Sequence, residues 1–414
     1  MTQLCRHRDT CRLCGSRDLE LVIHLAPTPV ADDYVPAERL HEPQPAFPLD
    51  IWFCRRCNHT QLLDAVDPEY LFRNYTYVTS VSLGLVEHFR RSAEGIRASF
   101  PAAPGSLAVE IGSNDGSMLR FFRDAGYRVL GVDPAREIAA RATAAGIETL
   151  PDFFSAHLGE SIRRERGDAA VVLANNVYAH ADDLGGITDG VRSLLAPDGV
   201  FVFEVSYMVD IVQRLLFDTV YHEHLCYHAV RPFVHFFGLH GLELFDVERI
   251  PTKGGSLRGF VQRIGGPRPV SPRVGVLVRL EEELGFSRAE TFLRFAGVVE
   301  ARRDQLLAHL DRTAAQGQTA AGYGASATVT TLLHHFDLGG RLAFLVDDNP
   351  VKQGTFSPGH HLPVLHPRAL LERRPDQVVV LAWSYAGPIM EKNGPYREAG
   401  GRFVVPLPEL TVVG

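Results

Sequence analysis

The sequence has no apolar run long enough to cross a bilayer. Its longest stretches, such as Gly199 to Val209, are about half the roughly 20 residues that a membrane helix needs, and Glu204 interrupts that one. A soluble chain without membrane contact is expected. A basic stripe is also missing: Lys and Arg are dispersed among Asp and Glu, the net charge is −7, and nothing gathers to neutralise a phosphate backbone, so nucleic acid is not expected as a partner. The first residues, with Arg6, His7, Arg8 and Asp9, lack the apolar core of an export signal, which predicts a cytoplasmic protein whose cysteines meet a reducing environment. Repeats and low-complexity segments are absent as well. What is present is length: 414 residues at 45% hydrophobic content exceed the roughly 250 to 300 residues at which a single core stops growing, so several domains are expected.

Cysteine is scarce, with six residues in all, yet four of them are paired. Cys11 and Cys14 form one C-x2-C, and Cys54 and Cys57 form another. Four thiolates in two knuckles satisfy tetrahedral zinc and leave no open position for water, which predicts a structural metal and not a catalytic one. The interval between the pairs is long for a zinc ribbon, but Pro27, Pro29, Pro36, Pro43, Pro45 and Pro48 are consistent with an extended loop that returns the chain. Residues 1–75 are therefore expected to be a small metal-stapled domain. Cys5 and Cys226 are left as free thiols.

After an amphipathic stretch from Val81 to Phe100, Ser106 to Ser117 reads as strand and tight glycine turn, and Met118 to Asp124 continues in helical period. Gly112 and Gly116 let backbone approach a ligand, and Glu110 at the strand end can bind a cationic group. The next strand, Tyr127 to Asp133, ends in an acid about 20 residues after the turn, where Rossmann-like folds place the acceptor for ribose hydroxyls. Asp133 could alternatively cap a helix beginning at Pro134, and Asn175 could simply close a turn. Dinucleotide and S-adenosylmethionine (SAM) folds share this pattern. The turn Glu-x-Gly-x-x-x-Gly is closer to motif I of class I methyltransferases than to Gly-x-Gly-x-x-Gly. The strand Asp168 to Ala174 ending in Asn175-Asn176, and the turn Ala196-Pro-Asp-Gly199 before the strand Val200 to Val205, follow in the order that class I methyltransferases use. The candidate SAM-binding set is Glu110, Gly112, Asn114, Gly116, Asp133, Pro134, Asn175 and Asn176.

Beyond that strand, Asp218 to His228 packs three histidines, a glutamate and two tyrosines into eleven residues. On a helix, Tyr221, His224 and His228 would share a face and His222 would turn away. His222, Glu223 and His224 could instead hold a second metal, or the segment could be a solvated polar turn.

Together with Asn74-Tyr-Thr-Tyr77, Ala174 to His180, Gly254-Gly-Ser-Leu-Arg258 and Asp347-Asp-Asn-Pro-x-Lys-Gln-Gly354, these motifs resemble the sugar C-methyltransferases that carry an N-terminal zinc-binding domain and methylate C3 or C5 of nucleotide-linked 4-keto-deoxysugars. The resemblance spans essentially the whole chain. It implies an α/β protein with a class I SAM methyltransferase Rossmann-like core, flanked by the small four-cysteine zinc domain and a second Rossmann-like α/β domain. It also implies His224 as general base, with Tyr221 and Glu223 beside it and Tyr77 and His180 at active-site positions. Carbon methylation independently asks for such a set. A proton α to a ketone must be removed, for which a neutral imidazole serves at cellular pH, and the enolate oxygen needs donors such as Tyr77, Tyr221 or His180.

The methyltransferase domain is expected over 76–265 and the second α/β domain over 266–414. The latter opens with Gly265-Gly-Pro-Arg-Pro269 and an amphipathic segment reaching Ala315. Strands then follow at Ala320 to Ser326, Arg341 to Val346 and Gln377 to Ala382. A helix N-terminus behind the first glycine turn could hold the diphosphate of the substrate, in a cleft that the resemblance puts between this domain and the core. Ala327-Thr-Val329 departs from the Ala-Lys-Gly that the family usually shows there, so phosphate gripping is expected to fall to Lys253, Lys352 or backbone amides, or the carrier to differ from thymidine diphosphate. His360 and His361 are read as solvated loop residues. A monomer is expected. Competing functions are methylation of an oxygen or of a non-sugar ketone on the same fold, and a catalytically silent nucleotide-sugar-binding protein.

Overall fold

The computed structural model describes residues 4–73, 78–81 and 83–414; Tyr77, a candidate active-site residue, lies outside them. Strands β1 (Cys5–His7), β2 (Leu19–Ile23), β3 (Ile51–Cys54), β4 (Thr60–Leu62) and β5 (Asp64–Val66) build the first unit. β2, β3 and β4 form an antiparallel meander, and β1 pairs with β5. The two cysteine pairs fold alike: the amide of Gly15 donates to the Cys11 carbonyl at 2.9 Å and that of Asn58 to the Cys54 carbonyl at 2.8 Å. The proline-rich interval does return the chain, because Thr28 and Phe47 exchange backbone hydrogen bonds at 3.1 and 2.8 Å.

The central sheet contains β6 (Leu107–Ile111), β7 (Arg128–Val132), β8 (Thr149–Leu150), β9 (Ala169–Asn175) and β10 (Leu195–Ser206). β11 (Cys226–Tyr227) leaves it, and β12 (Leu242–Ile250) and β13 (Ser256–Arg263) complete it. In space the order is β12-β13-β10-β9-β6-β7-β8. β6 to β10 are mutually parallel, while β13 runs antiparallel to both β10 and β12. A dinucleotide fold reads 3-2-1-4-5-6; here the last strand is inserted between the fifth and sixth, which separates this sheet from an NAD-binding one. Val109, Val172, Leu173, Val202 and Phe203 are fully buried, the mark of a parallel sheet covered on both faces by helices. The turn at Ala196 to Gly199 lies inside β10 as an irregularity of its register, not ahead of it.

β11 pairs antiparallel with β4, so the segment after the core's fifth strand completes the zinc unit's sheet. Further on, the expected single helical segment is two helices, Pro272–Glu283 and Ala289–Ala314, broken where Gly285 turns left-handed at φ 79°. The last sheet comprises β14 (Ala320–Tyr323), β15 (Leu345–Val346), β16 (Val364–Leu365), β17 (Gln377–Val380), β18 (Arg402–Val405) and β19 (Thr411–Val413). Its order β16-β15-β14-β17-β18-β19 is the dinucleotide-fold order, with only β19 antiparallel. The units share contacts: Phe53 packs on Phe292 at 5.4 Å between ring centroids, and Tyr207 donates its hydroxyl to Glu281 at 2.8 Å. Among the described residues no helix is long and apolar enough to cross a membrane.

Candidate active site

Two centres emerge. In the first, the sulfur atoms of Cys11, Cys14, Cys54 and Cys57 all lie within 4.8 Å of one another. The contacts cross between the knuckles, Cys11 to Cys57 and Cys14 to Cys54, each at 3.6 Å. Four sulfurs 2.3 Å from a central zinc would stand about 3.8 Å apart, so the cluster fits the ion. The centre is a closed four-thiolate site with no position for a substrate.

The second is a cleft of about 660 Å³ on the methyltransferase core, to which the zinc unit adds Asp67, Pro68, Leu71 and Phe72. Gly112 has φ 66°, and a Cβ there would stand 2.7 Å from the Val177 side chain, so only glycine keeps this wall open. Asp133 accepts from the amides of Asn114 at 2.8 Å and Ala135 at 2.9 Å. It thereby ties the glycine turn to the end of β7 while keeping lone pairs for a ligand's hydroxyls. The helix Arg136–Ala144 takes Ala135 as its cap residue, so Asp133 is not that cap. Asn175 is more than a turn closer: its side-chain amide donates to Glu110 at 3.1 Å. The other Glu110 oxygen is buried and has no partner among the described residues, and burial pushes this carboxyl up to about 8. An open glycine cradle, an acid poised for hydroxyls and an orphaned carboxyl oxygen fit SAM. Gly112, Asn114, Asp133, Pro134, Asn175 and Asn176 line the cleft; Glu110 and Gly116 stand behind its wall.

At the far end of the cleft the segment 218–228 is not a helix. Phe217–Thr219 is a short 3-10 turn, residues 221–223 are bend and turn, and β11 follows. The three histidines consequently point three ways. His224 lies against Tyr221 at 4.1 Å and His180 at 5.1 Å between ring centroids, and His180 in turn stacks on Phe72 at 5.8 Å. His180, Tyr221, Glu223 and His224 all line the cleft. His222 instead faces the Phe47 carbonyl at 3.1 Å, and His228 stacks on His59 and Phe233 in the core. A second metal at His222, Glu223 and His224 is thus excluded by direction; among the described residues only the four cysteines cluster as metal ligands.

His224 Nδ1 is 2.8 Å from the Thr219 carbonyl. A carbonyl only accepts, so Nδ1 carries the proton and Nε2 keeps the lone pair. Burial, with a smaller contribution from Lys253, lowers the His224 pKa to about 4 against the pull of the Thr219 carbonyl; burial sets His180 well below its ordinary value. The buried His222 is held near 4 for the same reason, with a consequence for stability. Between pH 6.5 and 4 the unfolded chain protonates this ring and the folded one does not, so the stabilisation present above pH 6.5 is lost as pH falls, up to roughly 3 kcal/mol. Urea melts at pH 7 and pH 5 are expected to show this loss and to show less of it in His222→Asn.

In the C-terminal unit the candidate phosphate-binding groups have partners of their own. The turn after β14 is tied to the end of β15, where Asp347 accepts from the Ala325 amide at 2.6 Å, and the helix Ala327–His335 starts just beyond it. Lys352 pairs with Asp32 of the zinc unit at 2.8 Å and Lys392 with Asp348 at 2.6 Å. The cleft described above takes no lining residue beyond Lys253. The unit braces the segment 218–228, where Trp383 donates to Asp218 at 2.8 Å and Thr331 to the Val220 carbonyl at 2.6 Å. His360 stacks on His334 at 4.1 Å and is half-buried, not solvated. Of the cleft residues, Phe72, Asp152, Phe153 and Lys253 have no sequence signal as cofactor or catalytic positions: Phe72 ends the short helix Pro68–Phe72, and Asp152 and Phe153 follow β8 with no distinctive spacing.

Residues 11–72 match the family model of a zinc binding domain, 87–247 that of a methyltransferase domain and 251–408 that of the C-methyltransferase C-terminal domain. Among solved structures, a chain of the complex between the Haloferax volcanii Trm112 methyltransferase activator and a methyltransferase is 18% identical, covering 44% of this chain and 94% of that one at a TM-score of 0.36. Magnesium protoporphyrin IX methyltransferase (ChlM) from Synechocystis is 14% identical, covering 44% and 81% at 0.34. The C-methyltransferase NovU of Streptomyces niveus is 36% identical over 414 residues, which is 100% of this chain and 99% of that protein. A cleft shaped for SAM, a four-cysteine zinc centre and a relative matched from end to end lead to one conclusion: the chain belongs to the C-methyltransferase family and is a SAM-dependent enzyme.

Proposed function

We propose that the acceptor is a nucleotide-linked 4-keto-deoxysugar, methylated at C3 or C5 after loss of a proton α to the ketone. The observation that carries this reading is the fixed tautomer of His224, whose Nε2 lone pair shares one cleft with the cofactor cradle. When bound, SAM supplies an electrophilic methyl group, held by Gly112, Asn114, Asp133, Pro134, Asn175 and Asn176, with Glu110 and Gly116 supporting from behind. The acceptor carbon is the group that needs activation. His224 takes the proton at Nε2, and its Nδ1–H bond to Thr219 keeps the ring aimed. Tyr221 and His180 stand within ring contact of His224 to orient the keto group, with Glu223 beside them and Tyr77 assigned to the same task. Division at 1–75, 76–265 and 266–414 gives the last unit the nucleoside. Its dinucleotide-type strand order supports this, with Asp347 and Asp348 ending the second strand where such folds bind ribose.

Incubation with methyl-13C SAM and dTDP-4-keto-6-deoxyglucose is the test. The expected product carries label on a carbon next to the ketone. Label on oxygen, or methylation of simple ketones alone, would overturn the proposal.

A further inference from the structure

We infer that Lys253 is a catalytic residue of this enzyme, supplying the cation that stabilises the enolate oxygen formed when His224 removes the α-proton. This rests on the ketone reading above. Lys253 lines the same cleft as His180, Tyr221, Glu223 and His224. It stays accessible there, and among the described residues no carboxylate pairs with it. The other cations near the substrate reading are taken: Lys352 by Asp32, Lys392 by Asp348 and Arg258 by Glu204.

The backbone is built to deliver this side chain. Lys253 sits in the left-handed region at φ 49° and ψ 35°, which a residue with a Cβ rarely adopts and which clusters at functional sites. It is clamped on both sides. Thr252 donates its hydroxyl to the buried Glu204 at 3.0 Å. After it, a Cβ at Gly254 would fall 2.8 Å from Leu216 and one at Gly255 2.2 Å from Asp210, with φ 86° and 132°. The turn therefore does not accept side chains at those positions. Surrounding protein lowers the ammonium pKa from its ordinary value, while Glu204 and Glu223 oppose the change. The same ammonium disfavours charge on His180 and His224, so it stands within electrostatic reach of the base.

The chemistry needs a cation here because the His224 imidazole, held near 4, is a weak base, and the driving force for deprotonation must come from the product side. In that step the α C–H bond breaks, the proton goes to His224 Nε2, and the electron pair passes to the enolate, whose oxygen faces the Lys253 ammonium. No electron acceptor or further reactant is required.

Lys253→Met and Lys253→Arg test this in the full-length enzyme. With dTDP-4-keto-6-deoxyglucose, Lys253→Met is expected to lower kcat 10²- to 10³-fold, the usual effect of removing one oxyanion donor, with KM changed by no more than a few fold. Deuterium wash-in at the α-carbon of the S-adenosylhomocysteine complex should slow in parallel, and Lys253→Arg should recover part of both. A raised KM at unchanged kcat would overturn the role, as would borohydride trapping of the sugar on Lys253, which marks an imine. If the wild type neither methylates nor exchanges this sugar, the acceptor reading has failed, and oxalate, a planar oxyanion, tests the cation by itself. Calorimetric titration should then show at least tenfold weaker oxalate binding to Lys253→Met than to wild type; equal affinity, or no binding to either, would overturn the inference.

Discussion

His224→Asn is expected to reduce kcat about 10³- to 10⁴-fold while SAM binds as to wild type. Proton transfer by a placed side chain contributes typically 10²- to 10⁴-fold, and here the base stands beside a cation and aromatic donors that act only once the proton has moved. Asparagine keeps a polar side chain near the Thr219 carbonyl, so the loop persists and the loss reports the missing Nε2. The pH profile supplies a second signature. Burial disfavours the imidazolium, so Nε2 remains unprotonated from neutrality down to about 4, and the acid limb of kcat/KM is expected near that value and not near 6.5. Calorimetry with SAM and single-turnover methyl transfer make the separation. Loss of SAM binding in step with turnover, or an acid limb at pH 6.5, would refute this role.

Cys54→Ser is expected to release the metal and with it most of the enzyme's stability. Structural zinc binding by four-ligand sites amounts to roughly 10 to 16 kcal/mol in zinc-finger peptides, against a total of about 5 to 15 kcal/mol for a folded domain. The effect should reach the active site even though no reaction step uses the ion. β4 follows directly on the second knuckle and holds β11, and the Leu62 amide donates to the Leu225 carbonyl at 2.9 Å, one residue after His224. Metal analysis and thermal melts of Cys54→Ser should show zinc lost and the melting point sharply lowered. Stripping wild type with a strong chelator should abolish activity until zinc is restored. Cys226→Ala serves as the control: that thiol lies outside the cluster and its variant should retain the metal. A metal-free Cys54→Ser with normal activity would contradict the coupling.

Much of this centre was legible in the chain. Two C-x2-C pairs announce four thiolates because a knuckle is a local object, closed by hydrogen bonds within five residues. The strand, glycine turn and helix around Gly112 are local in the same sense, as is the acid that ends the next strand; each depends on backbone geometry over a few positions. The cluster from Tyr221 to His228 was legible as chemistry but not as geometry. Helical spacing would join His224 to His228, yet the segment is turn and strand, and each ring takes a partner from far along the chain: the Phe47 carbonyl for His222, the His59 ring for His228 and the His180 ring for His224.

The lysines show the same divide. Lys253 and Lys352 looked equivalent as phosphate-binding candidates, but one is drawn into an ion pair across the units and the other is held at the cleft by a strained turn. Residue type and spacing along the chain carried the four-cysteine ligand set and the glycine turn of the cofactor cradle, since those follow from contacts between near neighbours, while the reading of His224 as the base rested on the family resemblance. Folding decided which histidine lines the cleft, which lysine stays outside an ion pair, and that the zinc sheet borrows a strand from beside that histidine. These depend on packing between residues tens to hundreds of positions apart, where no local pattern carries the information.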